Sequence, residues 1–186
     1  VDTMSLTAHK FYGLNGIGLL IKRRNLALEP LIHGGESTTI YRSGTPTVAL
    51  ASSLACALDL AVTDLPGRVD HVAKLNAELR AALSTYPLVR INSPDHAIPH
   101  VLNLSVRNVK GTVFQRELDA KGVCVSVKSA CSSDGLPSRA VFAVSRDRRN
   151  ALSSWRISLS HLTTEDEIKA FLQAFDVCYR ELTAVH

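Results

Sequence analysis

A hydroxyl, an imidazole and a primary amine crowd together near the start of the sequence, in the run Ser5-Leu6-Thr7-Ala8-His9-Lys10-Phe11-Tyr12-Gly13. A lysine amine attacks a carbonyl only when it is partly deprotonated and held in place, conditions that burial and a fixed turn provide. Gly13, Gly16 and Gly18 let the backbone turn tightly around the start of the apolar run from Ile17 to Ile21. These residue types allow a lysine that holds an aldehyde as a Schiff base. They equally allow a surface His-Lys pair after a short strand.

Three more features carry possible chemistry. Thr45, after Ser43 and Gly44 and before Pro46, has the pattern of an N-cap followed by proline in the first helical position. A hydroxyl and free N–H groups at the positive end of a helix suit a phosphate, and an ordinary capped helix has the same pattern. Cys131 lies in the small, polar stretch Lys128-Ser129-Ala130-Cys131-Ser132-Ser133-Asp134-Gly135, the composition of an exposed, mobile loop. Lys128 nearby favours the thiolate, the form that attacks, while an incidental loop cysteine is the plainer alternative. Arg156 interrupts the apolar strand pattern Trp155-Arg156-Ile157-Ser158-Leu159. Its planar fork suits a carboxylate or phosphate, or an internal Asp or Glu.

The elements that must position these groups follow from periodicity. Residues 2–6 and 17–22 read as strands, the second with the continuous apolar character of a sheet buried on both faces. After Pro30, the loop His33-Gly34-Gly35 leads to a helix burying Ala51, Leu54, Ala55, Leu58, Ala61 and Val62, with Cys56 a small core residue beside them. Pro66-Gly67 breaks the chain, and a second helix runs to Leu83. Beyond it, strands are predicted at 88–91, 101–106, 123–127 and 155–159, with Cys124 in the core, and helices at 112–121, 137–144 and 164–183. The last helix opens with a capping box, Thr164 with Glu167, and carries Ile168, Phe171, Leu172, Phe175, Cys178 and Leu182 on one stripe. A boundary near Pro66-Gly67 separates residues 1–65, read as the tail of a larger sheet-based domain, from a small α+β domain over 66–186.

Composition narrows the function. The 186 residues are 46% hydrophobic, enough for one domain or one domain plus part of another. The apolar run from Thr47 to Val62 is broken by Ser52, Ser53 and Asp59, and no signal peptide opens the sequence, so neither a membrane span nor export is expected. A net charge of +4 permits an anionic cofactor or partner. Nucleic acid is not implied, because the basic residues are scattered and the cluster Arg146 to Arg149 reads as a solvated turn. Cysteines at 56, 124, 131 and 178 form no CxxC pair, which points to a reducing, cytoplasmic setting without disulfides or zinc. His96 and His100 are separated by Pro99, which argues against a shared metal face.

In order along nearly the whole chain, these runs resemble the NifS-like cysteine desulfurases, pyridoxal-phosphate enzymes of fold type I in aminotransferase class V. The likeness rests on SLTAHKFYGLNGIGLL (5–20), HGG (33–35) with IYRSGTPTVAL (40–50), PHVLNLSV (99–106), VSVKSACSSDGLPSRAV (125–141) and SSWRISLSHLTTEDEI (153–168). It implies an α/β fold, the end of the large-domain sheet followed by a small α+β C-terminal domain. It implies pyridoxal 5'-phosphate on Lys10, with Thr7 and His9 against its phosphate and Thr45 reaching the phosphate of a neighbouring subunit in a homodimer. Arg156 would hold the carboxylate of substrate L-cysteine. Cys131 would take its sulfur as a persulfide, release alanine and pass the sulfur to an acceptor protein such as an iron-sulfur scaffold or a tRNA-thiolation protein.

Two departures from the family pattern bear on partner preference and loop conformation. Lys128 stands where glycine is usual, and Glu36 interrupts a glycine run. The resemblance also implies a long segment preceding the lysine run, carrying the ring-stacking histidine and the acid that pairs with the pyridine nitrogen, so the segment alone is expected to be inactive. A class V aminotransferase, a selenocysteine lyase and a non-catalytic dimerisation or sulfur-carrier fragment are the competing readings.

Overall fold

In the computed structural model, which describes residues 1–35, 39–128 and 136–184, the chain divides into two units, Val1–Leu65 and Pro66–His186. In the first, β1 (Thr3–Thr7) pairs antiparallel with β2 (Gly18–Lys22), from Thr3 opposite Lys22 to Thr7 opposite Gly18. The sequence pattern predicts strands buried on both faces, yet Leu19, Leu20 and Ile21 are exposed. Among the described residues β1 and β2 pair only with each other, and a two-stranded hairpin has no second layer of its own to cover it.

Helix α1 (Val48–Thr63) departs from expectation in the same way. Of its predicted stripe only Leu54 is buried; Ala51, Ala55 and Val62 are exposed, and so is Cys56. The helix is apolar on most sides, so periodicity does not select the side that meets a neighbour. Its N-cap is Thr47, with no side-chain capping bond, and Ala51 N–H donates to Thr47 O at 3.0 Å. Thr45 and Pro46 therefore lie in the preceding loop, two positions outside the place their types predict.

The second unit begins within α2 (Leu65–Leu83), whose first turn contains Pro66. Proline is tolerated there because the first N–H groups of a helix have no partner in any case. A three-stranded antiparallel sheet follows in the order β3 (Val89–Ile91), β4 (Val101–Val106), β5 (Ser154–Ser158). Register places Leu104 opposite Trp155, Leu102 opposite Ile157 and Asn103 opposite Arg156. Because successive side chains point to opposite faces, Leu102, Leu104, Val106, Trp155 and Ile157 all enter the core.

Three helices cover that face. α2 supplies Val72, Leu75, Leu79 and Leu83; α3 (Gly111–Asp119) supplies Phe114 and Leu118; α6 (Glu165–Thr183) supplies Ile168, Phe171, Phe175 and Cys178. Phe114 stacks on Trp155 with ring centres 5.2 Å apart. Burial pushes the Cys178 thiol up from its ordinary pKa, as befits a packing residue. The predicted capping box of α6 is present in both directions, from Thr164 Oγ1 to the Glu167 N–H and from Glu167 back to the Thr164 N–H.

Residues 123–127, predicted as a strand, make only an isolated bridge between Ser126 and Arg156, and Cys124 is exposed. The expected helix near 137–144 is α4 (Arg139–Ser145), capped by Ser138. The Arg146–Arg149 run holds more structure than a solvated turn. Arg146 takes a left-handed conformation that ends α4, and Asp147 caps a further short helix, α5 (Arg148–Ser153).

Two contacts test this packing. A Cβ on Gly111 would meet Ser154 O at 2.4 Å, so α3 and β5 touch through backbone. Gly111→Ala is expected to lower unfolding free energy by about 1–3 kcal/mol in urea titrations followed by Trp155 fluorescence, as overpacking does; an unchanged midpoint would show that α3 moves away freely. Thr164→Ala removes the α6 cap and is expected to cost about 1 kcal/mol in the same titration.

Candidate functional site

Lys10 ends a single 3-10 turn, Ala8–Lys10, that directly continues β1. Ala8 is the anchor: it is fully buried, and its carbonyl accepts from Phe11 N–H at 3.0 Å and Gly13 N–H at 2.9 Å. Glycine is required at 13, where a Cβ would come within 2.8 Å of Ala8 Cβ and 3.2 Å of Ala57 Cβ on α1. Leu14 N–H donates to Ser53 Oγ at 3.3 Å, so α1 holds the far side of the turn. The backbone under Lys10 is thus fixed while its side chain remains exposed, with no hydrogen bond or ion pair among the described residues.

Thr7 and His9 flank buried Ala8, and Thr7 Oγ1 and His9 Nδ1 share a hydrogen bond of 3.1 Å. Thr7, His9 and Lys10 therefore form one polar cluster at the end of β1. Thr45 is exposed in the loop before α1, its hydroxyl without a hydrogen bond among the described residues. That loop is tied down by Ser43, whose hydroxyl donates to His33 O at 2.9 Å and whose N–H donates to Ile32 O at 3.1 Å.

In the second unit Arg156 lies on the sheet face opposite the core, directly across from Asn103. Its backbone is clamped on both sides: Arg156 N–H donates to Ser126 O at 2.7 Å, and Ser126 N–H donates to Arg156 O at 3.1 Å. Nε donates to Ser158 Oγ at 3.0 Å. The two terminal nitrogens have no hydrogen-bond partner, and no carboxylate pairs with the guanidinium, among the described residues. Among the described residues, then, no internal Asp or Glu takes up the guanidinium, and its two prongs can serve another acceptor.

Arg156 opens onto a cavity of about 1060 Å³ that Arg90, Asn92, Asn103, Lys128 and Arg139 also line. Asn92 holds the polar face together: its Nδ2 donates to Asn103 Oδ1 at 2.9 Å and Ser105 Oγ at 2.8 Å, and its Oδ1 accepts from Asn150 Nδ2 at 2.9 Å. Val127 and Lys128 on one side, and Pro137 and Ser138 on the other, line the same cavity. Cys131 itself lies outside the described residues.

Sequence reasoning overlooked Arg90, Asn92, Asn103 and Arg139. A signal for Asn103 was present in the alternation Val101-Leu102-Asn103-Leu104-Ser105-Val106, which marks a second, polar face. No group of three or more His, Cys, Asp or Glu side chains able to hold a metal occurs among the described residues.

Comparison with known proteins places this geometry. A family model, aminotransferase class-V, matches residues 1–171. The cysteine desulfurase IscS of Vibrio cholerae serotype O1 is 36% identical over all of this chain and 46% of its own length. The cysteine desulfurase IscS of Dictyoglomus turgidum is 32% identical over all of this chain and 48% of its own. A NifS-like protein from Rickettsia africae superposes with a TM-score of 0.85 at 29% identity, covering 96% of this chain and 48% of that one. The chain spans about half the length of these relatives. With most of its length matched by the family model and its α/β fold shared with a NifS-like structure, the chain belongs to the aminotransferase class-V family.

Proposed function

We propose that the intact protein carrying this chain is a pyridoxal-phosphate-dependent cysteine desulfurase that works as a homodimer in a reducing, cytoplasmic compartment. The observation that carries the reading is Arg156. Its clamped backbone, tethered Nε and two terminal nitrogens unengaged among the described residues make a carboxylate grip on the wall of a cavity that Lys128 and Pro137 also line.

The donor set at the end of β1 fits a phosphorylated aldehyde. Lys10 offers a primary amine with no carboxylate partner among the described residues, and Thr7 and His9 offer a hydroxyl and a ring nitrogen two residues apart. Lys10 would hold the carbonyl carbon, Thr7 and His9 the phosphate, and Thr45 the phosphate bound by the partner subunit. The bound cofactor supplies an electron sink for the bonds at the substrate Cα.

The remaining chemistry falls to this chain. The Lys10 amine moves the proton at the substrate Cα. Arg156 orients the substrate through its carboxylate. The Cys131 thiolate attacks the substrate sulfur: a sulfur–sulfur bond forms, the carbon–sulfur bond breaks, and its electron pair stays with the carbon fragment, which takes a proton and leaves as alanine. Cys131 is left as a persulfide, whose outer sulfur passes to an acceptor protein.

Two measurements on the intact protein test this. With L-cysteine as substrate, Cys131→Ser is expected to abolish persulfide and lower alanine release by at least ~100-fold, whereas Arg156→Ala is expected to raise KM about 10–100-fold through loss of a charge-assisted grip. Unchanged sulfur transfer in Cys131→Ser would assign the protein instead to class V enzymes that need no thiol. The visible absorption that appears on adding pyridoxal phosphate is expected to vanish in Lys10→Ala; its survival would remove Lys10 from the cofactor.

A further inference from the structure

The second unit carries another charged concavity, apart from the proposed catalytic residues. β4 ends at Val106, and the chain reaches α3 through a turn in which Asn108 takes a left-handed conformation, φ 68°. Val109 in that turn is buried in the core, which pins the backbone between two exposed cations, Arg107 and Lys110. Both line a groove of about 500 Å³ whose other walls include Arg90 from β3 and Arg149 from α5.

Charge there is badly out of balance. Asp147 is the one carboxylate lining the groove, and it is already engaged: Oδ1 accepts the Asn150 N–H at 3.0 Å as the cap of α5, and Oδ2 lies 3.7 Å from Arg90 Nη1. Arg107, Lys110 and Arg149 have no side-chain hydrogen bond and no ion pair among the described residues. Three unpaired like charges around one concavity repel one another, and an arriving anion relieves that repulsion.

From this geometry we infer that the groove is the docking site for an acidic, extended segment of a partner protein. Leu88, Val89 and Leu152 line it along with the cations, so an occupant carrying both carboxylate and apolar side chains matches both kinds of surface. A nucleic-acid strand fits less well, because no aromatic residue lines the groove to stack against a base. A lone phosphate would leave most of the volume and all of the apolar wall unused. Arg90 lines both this groove and the Arg156 cavity, so the docked segment lies beside that cavity. The basic run at 146–149 thereby gains a role that its composition alone does not reveal.

The inference uses none of the proposed catalytic residues, so it stands or falls independently of the desulfurase reading. Fluorescence anisotropy of the intact protein with a labelled peptide of alternating glutamate and leucine tests it, with a glutamine-leucine peptide and a single-stranded oligothymidylate of equal length as comparisons. The acidic peptide is expected to bind at low salt and the glutamine peptide to fail. Arg149→Glu is expected to weaken binding roughly 10-fold or more, while Arg149→Lys retains most of it and Lys169→Glu, an equal charge change outside the groove, leaves it unaltered. Circular dichroism verifies that each variant is folded. Equal losses from Arg149→Glu and Lys169→Glu, tighter binding of the oligothymidylate, or no peptide binding at low salt would each overturn the assignment.

Discussion

The second unit depends on the two-sided character of β4. Leu102, Leu104 and Val106 are fully buried against helices α2, α3 and α6, and burying each such side chain contributes about 1.5–3 kcal/mol. Side chains alternate along a strand, so this commitment forces Asn103 and Ser105 onto the opposite face, and through register it forces Arg156 and Arg90 there too. A slip of one residue would exchange core and polar face throughout, which makes the position of Arg156 as secure as the core itself.

A polar face under a short helix is tolerable only if its groups are paired. Asn92 and Asn150, 58 residues apart, close that account with Asn103 and Ser105. On that wall the terminal nitrogens of Arg156 remain without a partner among the described residues. A two-pronged donor on a backbone clamped by hydrogen bonds leaves little ordering to be done when an acceptor arrives.

In the first unit the comparable constraint is the close approach of Ala8, Gly13 and Ala57, which fixes a lysine-bearing turn by packing three small groups together. Lys10 itself needs no partner for its backbone to be held. This separation of a rigid support from an unengaged side chain recurs at Arg156. At both places the support is apolar packing or backbone hydrogen bonding, and the polar side-chain ends are left over among the described residues.

Elements whose partners lie in the same unit were legible in the sequence. The stripe of α6, its capping box and the span of β4 follow from periods of 3.6 and 2, because the core reads those periods directly. Surfaces without such a partner were misjudged: Leu19, Leu20 and Ile21 of β2, Ala51, Ala55 and Val62 of α1, and Cys56 are apolar by type but exposed. Short elements were misjudged as well, Cys124 beside an isolated bridge and α5 inside a basic run, since a single turn or bridge has too few residues to show a period.

The sequence by itself determined the order of the chemical groups, Thr7, His9, Lys10, Thr45, Cys131 and Arg156, and the two longest core-facing patterns, because residue type and spacing are local properties. Only the tertiary structure decided which of these groups are engaged. It paired Thr7 with His9, left the fork of Arg156 unopposed among the described residues, and gathered Arg107, Lys110 and Arg149 around one groove. Pairing and convergence depend on distances between residues far apart in the chain, and register and close packing set those distances.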